Sequence, residues 1–218
     1  MILADYIGKY WAGAEVMYGV IIAMTFTSML RGYPAVFDPV LHKIIIAALA
    51  CCIAWGIADG LFYVWERNYL IRQENRIIDS SKNPRQDGSA LLLIGGQLDD
   101  TILRYLPAET RQQLYEKLTR YLSTVDVRKK LSPHDTLIIF LGTCLRSAAA
   151  GVIIVIPFFI IHDVRQALII SNLAGILLLF GVGYYRAPDK DFFSGVLFGF
   201  GTSFIGIMIA AITVILGG

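Results

Sequence analysis

The chain has 218 residues, of which 56% are apolar and 17% charged, with a formal net charge of +2 and a mean hydropathy of +0.61. Soluble domains carry about 25% charged residues, so this sequence has too little polar surface to cover a water-facing globule of its size. No basic patch interleaved with aromatics is present, which argues against nucleic-acid binding. The charge is unevenly placed: 12 of the 19 Lys and Arg fall between Arg67 and Lys130, as expected of a membrane protein with one polar insert.

In chain order, Ile2, Leu3, Tyr6, Ile7 and Tyr10 repeat at helical spacing with Asp5 and Lys9 off that face. The pattern predicts an amphipathic helix at the membrane interface; a cleaved signal peptide is not expected. A helix needs about 20 apolar residues, with a range of about 17 to 25, to cross about 30 Å of hydrocarbon. Residues 14–30 and 44–65 supply the first two predicted spans, and 1–65 forms the first section of the chain.

The polar segment 66–134 follows as a helical insert. Residues 67–79 continue the second span until Ser80, Ser81, Lys82, Asn83 and Pro84 break it. Pro107 opens a further helix whose predicted apolar face is Leu114, Leu118, Tyr121 and Leu122. So small a unit buries little core alone and is expected to pack on the membrane part or on a second copy.

The last section, 135–218, contains predicted spans at 136–161, 167–185 and 192–216. The fold class is therefore an all-α integral membrane protein with about five transmembrane helices and a cytosolic helical insert between the second and third. Short basic segments place the N-terminus in the cytosol and the C-terminus outside. In the fifth span Gly195 and Gly199 form a Gly-x-x-x-Gly step, continued by Gly201 and Gly206, for close helix packing within the chain or across a dimer. Compact loops suggest a prokaryotic plasma membrane.

The second span reads Cys52-Ile53-Ala54-Trp55-Gly56-Ile57-Ala58-Asp59-Gly60-Leu61 and runs on to Glu66 and Glu74. The third carries Ala148-Ala149-Ala150-Gly151 and then Ile156-Pro157-Phe158-Phe159. With the five-span pattern, these segments resemble the vacuolar iron transporter family over nearly the whole chain. The resemblance implies a homodimer that exports Fe²⁺ or Mn²⁺ from the cytosol in exchange for protons, with metal as cargo and no tightly bound cofactor. The first span departs from the family: Gly19-Val20 is followed by Ile21-Ile22-Ala23-Met24, where the family carries an Asp. Trp55 stands in place of the family's Met, and the insert has only Glu66, Glu74, Glu109 and Glu116. These departures point to a second expectation, a non-transporting scaffold or regulatory protein on the same dimeric fold.

An ionisable group in hydrocarbon is costly and therefore a functional candidate. Cys52, Asp59 and Glu66 are spaced i, i+7, i+14, within about 40° on one helix face, a polar track from mid-membrane to the insert. Carboxylate oxygens suit Mn²⁺ and Fe²⁺, and a soft sulfur adds selectivity; Asp59, Glu66, Glu74 and Met24 are the candidate metal ligands. Alternatively, Cys52 is a small buried hydrophobe, Glu66 solvated surface and Met24 packing. Glu15 is expected at the cytosolic mouth of the path, although Met17 and Met24 lie about 180° from it on a straight helix. Arg146 either tunes the charge of the path or forms a structural pair with Asp59. His134 and Asp135, with Ser132 and Pro133, read as a helix start. No nucleophile and base stand in catalytic order, so an enzyme is not expected.

Overall fold

The computed structural model describes residues 3–32, 38–83, 87–189 and 191–216. Ile2, Pro84, Lys190 and the C-terminal glycine pair lie outside the described residues. All regular structure among the described residues is helical: α1 (Leu3–Ser28), a 3₁₀ turn (Met29–Gly32), α2 (Asp38–Lys82), α3 (Asp87–Leu98), a 3₁₀ turn (Ile102–Tyr105), α4 (Ala108–Leu122), α5 (Pro133–Val155), α6 (Pro157–Ile160), α7 (Val164–Arg186) and α8 (Phe192–Ile215). The chain folds as two compact units, one from 1–64 and 133–218 and the other from Trp65–Ser132.

Four described helical segments are long and apolar enough to cross a membrane: Val40–Lys82, Pro133–Ile160, Val164–Arg186 and Phe192–Ile215. The chain is accordingly a multi-pass membrane protein. At 26 residues α1 is long enough but is not one of the four. Asp5, Lys9 and Glu15, together with Tyr, Thr and Gly, dilute its apolar content.

In the first unit α1 packs against α5, α7 and α8, and α7 pairs with α8 along its length. Small residues set these approaches. A side chain at Gly19 would meet the Ser147 carbonyl, and one at Gly56 would stand 2.7 Å from the Cys144 Cα. Val20, Ala23, Met24, Cys52, Ala150, Ile154, Leu179 and Ala210 then form one core cluster. A second gathers Leu30, Leu41, Ile45, Ala48, Val155, Phe158, Ala167 and Leu168.

The buried hydroxyls in this unit find backbone carbonyls. Ser147 donates to Cys52 at 2.9 Å, Ser171 to Ile154 at 2.7 Å and Thr143 to Ile139 at 2.7 Å, because an unpaired polar group in hydrocarbon is costly. Pro157, lacking an N–H, ends α5 and opens α6. The glycines of α8 serve α7: Gly195 lies against the Tyr184 ring, Gly199 against Phe180 and Gly206 against Leu179. Gly201 has open space around it.

The start of α1 bends at Gly8, whose φ of 82° and ψ of 155° only glycine adopts readily. The bend lets Leu3 bury itself against Gly142 and lets the Tyr6 hydroxyl donate to Asp135 Oδ1 at 2.5 Å.

The second unit closes on Ile77, Ile94 and Tyr115. The buried face of α4 is Tyr115 and Thr119, flanked by the half-buried Leu118 and Leu122. This corrects the face expected from sequence, because Leu114 and Tyr121 are exposed. The i, i+3, i+4, i+7 stripe that packs begins one residue later, and a hydrogen bond from the Tyr115 hydroxyl to Asp99 at 2.8 Å helps to fix it.

Candidate functional site

Glu15, from the middle of α1, is fully buried. The Tyr63 hydroxyl of α2 donates to its Oε1 at 2.7 Å. Its other oxygen, Oε2, is buried with no hydrogen-bond donor. The neighbouring polar group is the half-buried Asp59 carboxylate, which lies close enough to Glu15 to act on it electrostatically.

Two carboxylates from different helices thus meet inside the bundle. Ionised carboxylates only accept hydrogen bonds, and side by side out of water they repel. A proton shared between them, or a cation bound by both, removes that repulsion.

Trp55, Asp59 and Tyr63 are spaced at i, i+4, i+8 and so share a face of α2. Tyr18 meets Trp55 edge-on at 5.6 Å between ring centroids, and Trp11 tilts against Tyr63 at 6.4 Å. These aromatics wall the pair. The sequence reading missed them, although the i+4 relation of Tyr63 to Asp59 was a signal that could have found that residue.

Arg146 of α5 lies close enough to act electrostatically on Glu15, while its Nη1 donates to the Ala12 carbonyl at 3.0 Å. Among the described residues no ion pair joins Arg146 to Asp59. The direct Asp59–Arg146 ion pair expected under the structural alternative is therefore not formed among the described residues.

The remaining expected site residues are placed elsewhere. Cys52 is fully buried, with its Sγ donating to the Gly19 carbonyl at 3.4 Å and packing at Gly151. Met24 sits in the core with its sulfur at Gly175. In the second unit Glu66 is exposed, and the carboxylate of Glu74 is engaged by Arg128 at 2.6 Å. Among the described residues no group of three or more His, Cys, Asp or Glu is arranged to hold a metal ion.

The chain matches no protein-family model, no curated protein and no solved structure. Fold and site together define a class: a multi-pass helical membrane protein whose helix bundle encloses a carboxylate pair.

Proposed function

We propose that the protein is a cation transporter of the kind the vacuolar iron transporter resemblance implies, moving Fe²⁺ or Mn²⁺ out of the cytosol in exchange for protons. In this reading α1 acts as a fifth span, the second unit lies in the cytosol, the N-terminus is inside and the C-terminus outside, and two copies form a homodimer in a plasma membrane. The observation that carries it is the Glu15–Asp59 pair, one member fully buried and with an oxygen that lacks a donor. Two acids and a tyrosine hydroxyl can hold either a proton or a hard divalent cation, and exchange of one for the other is the elementary step of such a carrier. Arg146 limits how tightly the cation is held, which favours its release.

A scaffold without transport is the second reading. It is supported by Glu74, engaged by Arg128, and by Met24, packed in the core.

Uptake of Mn²⁺ and Fe²⁺ into proteoliposomes under a proton gradient separates the two. Wild-type protein is expected to carry the ions, and Glu15→Gln or Asp59→Asn to lose flux by at least about tenfold while remaining folded. Absence of flux of either ion in any gradient supports the scaffold.

A further inference from the structure

The C-terminal end of α7 carries a cation for which the described residues supply no anion. Arg186, the last residue of α7, folds back onto α1. Its stem occupies the space that a side chain at Gly13 would fill, and its guanidinium carbon stands 3.7 Å from the centroid of the Tyr10 ring. Nη1 reaches only the Met17 thioether, a weak acceptor, and Nε is buried with no partner.

Among the described residues the ion pairs are Arg111 with Asp99, Arg128 with Glu74, and His134 with Asp135; none involves Arg186. Asp191, a few residues on, accepts from the Phe193 N–H as the cap of α8. A ring face offsets part of the cost of desolvating a guanidinium. The rest calls for an anion.

Beside the guanidinium opens a cavity of about 370 Å³, walled by Tyr10, Met17, Leu197, Phe198, Gly201 and Thr202. Its position at the end of a spanning helix is where lipid headgroups lie. Its chemistry is a planar cationic fork, which matches the paired oxygens of a phosphate, in a cavity lined also by Thr202 and an apolar wall along α8. Leu197 and Phe198 of that wall are outwardly exposed, so an acyl chain can continue from the cavity into the surrounding lipid.

We propose that Arg186 and this cavity between α1, α7 and α8 bind the phosphate of an anionic phospholipid headgroup, with its acyl chain lying on α8. The site is distinct from the Glu15–Asp59 pair and does not depend on what that pair transports.

The test is a titration of the full chain in mixed micelles with phosphatidylglycerol, reading apparent affinity and thermal stability. Phosphatidylcholine, whose choline cation offsets the phosphate, is the reference lipid, and inorganic phosphate is the lipid-free arm. Ligand bound to the native state alone raises its melting temperature. Phosphatidylglycerol is expected to do so more than phosphatidylcholine in the wild type. Arg186→Gln is expected to weaken its binding at least about tenfold, and Arg186→Lys to retain part of it. Gly201→Leu, which adds a side chain where nothing lies within 4 Å, is expected to block the cavity with little change in stability without lipid, so the test stands even where Arg186→Gln fails to fold. Equal affinity for phosphatidylglycerol in wild type and Gly201→Leu, or stabilisation by inorganic phosphate matching that by the lipid, overturns the proposal.

Discussion

At the scale of single residues, the orientation of Arg146 decides how the site is assembled. A buried structural pair with Asp59 would make Asp59→Asn strand a charge, at a cost of about 3 to 5 kcal/mol. Here Arg146 donates to the Ala12 carbonyl, and Asp59 has the Glu15 carboxylate as its charged neighbour. An asparagine at that position nearly keeps the shape of the side chain and has an amide that can donate to a carboxylate such as Glu15. Asp59→Asn is therefore expected to lower stability by under about 1 kcal/mol. Because Arg146 and Asp59 both act on Glu15, the double variant, with Arg146→Met, is expected to be no more stable than either single variant, as read from thermal unfolding in detergent. A rescue of one substitution by the other contradicts this arrangement.

The spacing of Cys52, Asp59 and Glu66 identified a face of α2, but spacing within one helix carries no information on how that helix is turned toward its neighbours. The Glu15–Asp59 meeting depends on the close approaches at Gly19 and Gly56, which are long-range. For that reason Glu15 and Asp59 were legible as candidates but not as a pair, and Cys52 and Met24 turned out to face packed glycines.

At the scale of elements, legibility followed hydropathy. The last span, expected at 192–216, is Phe192–Ile215, because a charge-free apolar run bounded by Asp191 leaves little choice. The span expected at 167–185 starts earlier, at Val164. Arg165 and Gln166 look like loop by composition, yet Asp163 caps the helix by accepting from the Gln166 N–H at 2.9 Å. A helix of 45 residues such as α2 is about 68 Å long at about 1.5 Å per residue. That is twice what a hydrocarbon core needs, so part of it must lie outside.

The α7–α8 seam gives a matched pair of substitutions. A Cβ at Gly183 would stand 2.5 Å from the Phe198 carbonyl oxygen, whereas one at Gly181 meets nothing within 4 Å. Gly183→Ala is expected to destabilise by about 1 to 3 kcal/mol, and Gly181→Ala to stay within about 0.5 kcal/mol. Equal melting temperatures for the two variants would contradict the seam.

At the scale of the whole molecule, the low charged fraction has a direct structural counterpart. Large apolar residues stand exposed along the spanning helices, among them Leu145, Leu177, Phe200, Phe204 and Ile215, and only a bilayer removes such a surface from water. What composition could not convey is the place of α1. It is a long helix of the first unit that is not among the four spanning candidates, yet it touches α5, α7 and α8 and brings Glu15 near Asp59. A helix packed against several others does not need the hydropathy of one that faces lipid, and one of the residues that dilute its signal, Glu15, is the one it brings to the site.

The central claim, that this pair exchanges a proton for a divalent cation, is tested most directly by proton release on Mn²⁺ addition. The assay uses purified protein in weakly buffered detergent with a pH indicator, and compares wild type with Glu15→Gln and Asp59→Asn. The account predicts that wild type binds Mn²⁺ and releases protons in proportion, and that both variants lose the release together with the binding. Mn²⁺ bound without proton release in the wild type, or released protons undiminished in both variants, would contradict it.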